Sequence, residues 1–252
     1  MYTKCPKCGH QPLPENQALP AACPSCGVIL AKWGQKLKVR HPVCDIEDGA
    51  PDDGLDGATE QESWLARLTE VPDRVSASTF WMRCLLWAAF CVWGVSLMAL
   101  DYRDGGMGAS FLHRPLLIFH EAGHVIFMPL GEWLSILGGT LGQLLMPLVL
   151  AGALLITNRD PFGAAFGVWF LGVSLLDVAP YMFDALHPQL TLLNGQTGEA
   201  GGHDWIFLFS TLGLLPKAEL IGGLTHKLGA LVIVAAMCWA GWLLRQQYDR
   251  RI

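Results

Sequence analysis

The sequence predicts an all-α bundle of four to six transmembrane or re-entrant helices behind a small cysteine-rich module. Three observations lead there. Hydrophobic residues make up 52% of the 252-residue chain and charged residues 15%, against about 25% charged in an ordinary soluble domain. Mean hydropathy is +0.36, and long uncharged runs begin near residue 80. Finally, four of the eight cysteines form two CxxC pairs close to the N-terminus. The formal net charge is −5 and no dense basic patch follows the first forty residues, so nucleic acid is not an expected partner.

Residues 1–30 hold Cys5-Pro-Lys-Cys8-Gly and Cys23-Pro-Ser-Cys26-Gly. Each CxxC turn brings two thiolates toward one ion, and two such pairs complete a closed tetrahedral shell. A four-cysteine zinc ribbon is therefore expected, resembling the rubredoxin-type knuckles found at the ends of many bacterial proteins. No apolar signal segment opens the chain, so a cytosolic N-terminus is expected. In a reducing compartment metal is favoured over disulfides. Residues 31–79 then form a linker. It is basic over 31–40, and from Asp45 to Glu62 it carries eight acids and no base, a composition that cannot bury a core. Trp64, Leu65, Leu68 and Val71 recur at helical spacing before Pro72, which fits a short helix on a membrane surface and a simple loop about equally.

The membrane part is expected over 80–252. Cys84–Leu100 with Phe80 and Trp81 reaches the roughly 20 residues that a spanning helix needs. Further apolar segments are Pro115–Gly131, Trp133–Asn158, Pro161–Phe183 and Leu228–Leu244. Trp205–Pro216, at twelve residues, is short for a span and is expected to be interfacial or re-entrant, unless it crosses to make the number of crossings even. Arg74 and Arg83 precede the first span, and Arg245, Arg250 and Arg251 follow the last. Both termini are then expected on the cytosolic side of a bacterial-type inner membrane, with an even number of crossings.

The segment from Pro115 contains His120-Glu121-Ala-Gly-His124. On a helix, i and i+4 share a face. Both imidazoles can thus bind one zinc ion, with Glu121 beside them as general base for an activated water. Charged groups at the bilayer centre cost about 2.5–3.5 kcal/mol each on insertion scales, and a divalent cation offsets that directly. A hydrolytic zinc site needs a third protein ligand. Candidates are Asp177 and Asp184 at the end of Pro161–Phe183, His187, and the Gly201-Gly202-His203-Asp204-Trp205 stretch.

HEAGH in an apolar segment, followed by Asp177-Val-Ala-Pro180…Asp184, resembles the site-two protease family of intramembrane zinc peptidases. The resemblance covers residues 115–205 and includes the Gly138-Gly139-Thr-Leu-Gly142 segment between the two motifs. It implies that Asp184 is the third ligand beside His120 and His124, with His203 an alternative or additional one. Ala185 and Asp177 stand where the family has Gly and Asn. If every segment spanned, His120 and Asp184 would lie on the order of 20 Å apart in depth. A re-entrant Trp133–Asn158, broken at Gly138, Gly139, Gly142 or Pro147, would remove that conflict and leave four crossings.

The expected activity is peptide-bond hydrolysis in membrane protein or peptide substrates, with one zinc in the ribbon and one in the bundle. Two alternatives share the motif. One is a zinc-dependent lipid or amide hydrolase at the bilayer. The other is a non-catalytic metal-binding membrane protein, in which His120, His124, Asp184 and His203 would close the shell. The ribbon is a candidate site for a cytosolic partner.

Overall fold

A computed structural model describes residues 2–14, 21–30, 64–193 and 195–252. The basic 31–40 and acidic 45–62 stretches lie outside the described residues. The chain divides into two compact units, Met1–Gly57 and Ala58–Ile252.

In the first unit the two CxxC segments fold alike. The Cys5 amide donates to the His10 carbonyl and the Gly9 amide to the Cys5 carbonyl, at 3.1 and 2.8 Å. Cys23, Gly27 and Val28 repeat the pattern at 2.9 Å in both bonds. Gly9 and Gly27 hold φ of 75° and 70°, the left-handed conformation that glycine adopts without steric cost. An antiparallel bridge joins Ala22 to Ile29, and Leu30 packs beside Cys5 and Cys23. No β-strand occurs among the described residues, only isolated bridges.

The second unit is helical: α1 (Trp64–Thr69), α2 (Ala77–Met98), α3 (His113–Phe127), α4 (Glu132–Gly152), α5 (Pro161–Asp184), α6 (Asp204–Thr211) and α7 (Ala218–Tyr248). Four helical stretches are long and apolar enough to cross a membrane: Ala77–Met98, Glu132–Thr157, Pro161–Asp184 and Leu215–Tyr248. The chain is a membrane protein. Of the helix and the loop that the apolar spacing allowed before Pro72, the chain forms the helix, α1, and the Ser76 hydroxyl caps α2 by accepting from the Thr79 amide.

α5 is the central helix, with Trp169, Val173 and Leu176 fully buried. α7 runs antiparallel to it. A Cβ on Gly229 would fall 2.8 Å from the Gly172 carbonyl, so small residues let these two backbones approach closely. α2 lies against both, its Trp87 indole donating to the Met237 carbonyl at 2.9 Å. α4 returns antiparallel to α5, with Gln143 at the level of Asp177 and Ala151 beside Gly167.

Two expectations change here. Trp133–Asn158 does not turn back on itself. α4 continues through Gly138, Gly139, Gly142 and Pro147, and one π-helical turn, Ala153–Thr157, extends it. The glycines serve close packing of α3 on α4 and do not break the helix: a Cβ on Gly142 would lie 2.5 Å from the Phe119 carbonyl. The unusual segment is the one carrying HEAGH. α3 has 15 residues, fewer than a spanning helix needs. It begins at Asp177, with His113 Nδ1 2.9 Å from Asp177 Oδ1, so it sits by the C-terminal end of α5. The depth conflict disappears for that reason.

Candidate functional site

The site is built where α3 and α4 form an antiparallel hairpin beside the end of α5. His120 and His124 project from one face of α3, their ring centroids 4.8 Å apart. The next residue after His203, at the start of α6, supplies the carboxylate. Asp204 Oδ2 lies 2.9 Å from His120 Nε2 and 3.3 Å from His124 Nε2. The ligand atoms of these three residues all fall within 4.8 Å of one another.

The tautomers can be worked out from the partners. His124 Nδ1 lies 2.8 Å from the Ser135 carbonyl, which can only accept, so Nδ1 carries the proton. Gln143 Nε2 donates to Asp177 Oδ2 at 2.8 Å. This fixes the amide and turns Oε1 toward His120 Nδ1, 3.2 Å away, so that nitrogen also donates. In neutral imidazoles both Nε2 atoms then present lone pairs. Two lone pairs and a carboxylate oxygen converge on one point, where mutual repulsion requires a cation or two ring protons. A shared divalent ion satisfies all three atoms at once. Tetrahedral zinc with ligands at about 2.1 Å predicts ligand–ligand edges of ~3.4 Å, close to the His124–Asp204 spacing. With no ion bound, the rings must instead carry protons on both nitrogens; burial would then raise the Asp204 carboxyl, but the hydrogen bonds and charges of the protonated His120 and His124 outweigh it and hold the group below its usual range.

Gly139 makes room for this arrangement. A Cβ there would fall 2.5 Å from His124 Nε2 and 2.6 Å from His120 Nε2. Glu121 lines the same cavity, of about 360 Å³, together with His113, His120, His124, Asp177, Tyr181 and Asp204. The Tyr181 hydroxyl accepts from the Asp204 amide at 3.0 Å and so ties the start of α6 to α5.

Asp184 and His203 lie nearby in different roles. Asp184 Oδ1 accepts from the Gln189 and Leu190 amides at 2.7 and 3.0 Å, and Oδ2 sits 3.4 Å from His203 Nε2. His203 Nδ1 caps α6 by accepting from the Ile206 amide at 3.3 Å, so its proton is on Nε2, facing Asp184. The ring stacks on Tyr181 with centroids 4.1 Å apart. The structure therefore brings together His120, Glu121 and His124 as the sequence suggests, and puts Asp204 in the position that the resemblance gives to Asp184. Asp184 and His203 anchor the loop that delivers Asp204. Asp177 acts one step removed, through Gln143, while His187 is exposed. Gln143 and Tyr181 are the residues that the sequence does not single out, and Asp204 stands out there only within the candidate 201–205 stretch, where His203 is the expected ligand. For Asp204 a signal existed, since it is an acid placed after Gly201-Gly202-His203 at the head of an apolar segment.

In the N-terminal unit the four Sγ atoms of Cys5, Cys8, Cys23 and Cys26 converge within 4.8 Å. Cys5–Cys26 and Cys8–Cys23 are 3.7 and 3.8 Å apart, and none of the four is in a disulfide. Tetrahedral zinc with thiolates at about 2.3 Å requires edges of ~3.8 Å. The thiols are strongly uneven. Burial acts to raise Cys5, but amide bonds from Cys8 and Lys7 prevail and pull it down to about 6. At Cys26 the Val28 amide lowers the thiol, whereas burial and the other cysteines prevail and push it up to about 12. Four crowded sulfurs cannot all ionise without a cation among them. No family model, curated protein or solved structure matches the chain.

Proposed function

We propose that the protein is a membrane-embedded zinc peptidase of the site-two protease kind, with a zinc ribbon at its N-terminus. The observation that carries the reading is the convergence of two imidazole Nε2 lone pairs and one Asp204 oxygen, with Glu121 on the same cavity wall. His120, His124 and Asp204 would hold zinc in this bundle, and Cys5, Cys8, Cys23 and Cys26 would hold a second in the ribbon. The three-ligand set leaves one position open, as hydrolytic zinc sites do. Bound there, zinc supplies Lewis-acid polarisation of a carbonyl and a water acidified to about pKa 7. Glu121 takes the proton of the attacking water and returns it to the leaving amine. Gln143, steadied by Asp177, keeps the His120 ring in the tautomer that leaves Nε2 free. Ser135 does the same for His124.

The cavity lining favours a peptide over a phospholipid. Among the described residues it holds Glu121, Asp177 and Asp204 and no lysine or arginine, so an anionic headgroup would meet no opposite charge from a side chain. A peptide amide is neutral and needs none. The arginine-rich helix ends favour an N-terminus in the cytosol, beneath an inner-type membrane.

The test is reconstitution of the full chain in liposomes with a set of transmembrane-segment peptides. New amino termini should appear, stop on treatment with a chelator and return with added zinc. Release of fatty acid or headgroup without new amino termini would instead establish a lipid hydrolase.

A further inference from the structure

The two ends of the bundle differ in charge, and the cavity belongs to one of them. At the first end Arg83 donates to Gln247 at 3.0 Å and pairs with Asp160 at 3.5 Å. Arg250 donates to the Val71 carbonyl at 2.6 Å, and Arg251 lies over the Tyr248 ring. Arg74, Arg159 and Arg245 flank the same helix ends. The opposite end carries fewer cations, Arg103, Arg114 and Lys217, while Lys227 lies within α7 two residues before Gly229, which packs on Gly172 in the middle of α5. Basic residues near helix ends stay in the cytosol, which assigns the arginine-rich end to that side.

The cavity lies at the other end. Tyr181, beside His120 and bonded to Asp204, is ~30 Å along α5 from Pro161 at about 1.5 Å per residue. That is roughly the thickness of a bilayer's hydrocarbon core. The loops lining the cavity agree. Gly105 and Gly108 come from the α2–α3 connection, and Leu190 to Leu193 from the α5–α6 connection. Both connections leave helices that started at the arginine-rich end.

We infer that the metal centre opens on the non-cytosolic face, and that its substrate is a peptide segment emerging from the outer leaflet. The chemistry rests on the peptidase reading, whereas the sidedness does not. A segment leaving the bilayer can exchange its helical hydrogen bonds for bonds to water, which the hydrocarbon core does not allow. Its carbonyls are then free for attack without prior unwinding inside the membrane. The apolar side chains of Leu117, Val178, Leu190 and Leu192 line the same cavity and suit the last apolar residues of such a segment.

The test uses the full chain in intact cells with a membrane-impermeant maleimide, reading label at each cysteine-containing peptide by mass spectrometry. Leu193→Cys probes the cavity rim, where Leu193 is 70% exposed, and Tyr248→Cys probes the arginine-rich end, where Tyr248 is 53% exposed. The expected result is label at position 193 before lysis and at position 248 only after it. Label at 248 before lysis, or none at 193 until lysis, overturns the inference. Metal counted on the purified Leu193→Cys protein separates the two claims. Absence of a bundle metal sinks the peptidase reading, while the labelling pattern decides sidedness independently.

Discussion

Glu121→Gln is expected to abolish hydrolysis while leaving the metal content of the chain unchanged. Glu121 follows His120 on α3 and is exposed to the cavity, yet it is not among the three residues whose ligand atoms converge. Its carboxylate is therefore available as a proton acceptor. Glutamine keeps the shape and removes the basicity. Loss of a general base costs about 10²–10⁴-fold in rate, so kcat/KM for a cleaved peptide should fall by that order, with zinc per chain equal to the parent's. If metal and activity disappear together, Glu121 is a ligand or a structural support. If activity survives, the base lies elsewhere.

The second large effect is expected at Gly139. In Gly139→Ala the new methyl would lie 2.5–2.6 Å from the Nε2 atoms of both imidazoles, well inside contact distance. These are the atoms proposed to hold the ion, so the rings must turn away from Asp204 or α4 must shift from α3. Overpacking of this sort costs about 1–3 kcal/mol, and here it falls on the metal site itself. Gly152→Ala on the same helix is the control, because a Cβ there meets nothing within 4 Å. Thermal unfolding and metal content should both drop in Gly139→Ala and stay at parental values in Gly152→Ala. Equal behaviour of the two variants would remove Gly139 from the account.

Much of this was legible in the sequence, for particular reasons. Thiol spacing is local, so Cys5, Cys8, Cys23 and Cys26 were identifiable as one cluster without knowledge of the fold. The i, i+4 rule placed His120 and His124 on one face because α3 is regular over the motif. The long apolar runs gave α2, α4, α5 and α7. Asp204 was harder. It reaches the imidazoles from the start of α6 after a connection whose path depends on Asp184 accepting two amides and facing His203. Periodicity carries no information about such a path. The resemblance pointed to Asp184, and the structure puts Asp184 one step behind the cluster, holding the loop in place. The Gly138–Gly142 stretch was ambiguous for a different reason. Glycines at membrane depth can break a helix or let two helices touch, and only the pairing of α3 with α4 decides between these uses.

A zinc count per chain on the protein and on two matched variants, Asp204→Asn and Asp184→Asn, decides whether Asp204 holds the bundle metal. Each substitution keeps a side-chain oxygen to accept hydrogen bonds and removes the carboxylate charge. Two zinc ions are expected in the parent and in Asp184→Asn, and one, held by the four cysteines, in Asp204→Asn. A single ion in the parent, or loss of the bundle ion from Asp184→Asn with retention in Asp204→Asn, would contradict that assignment.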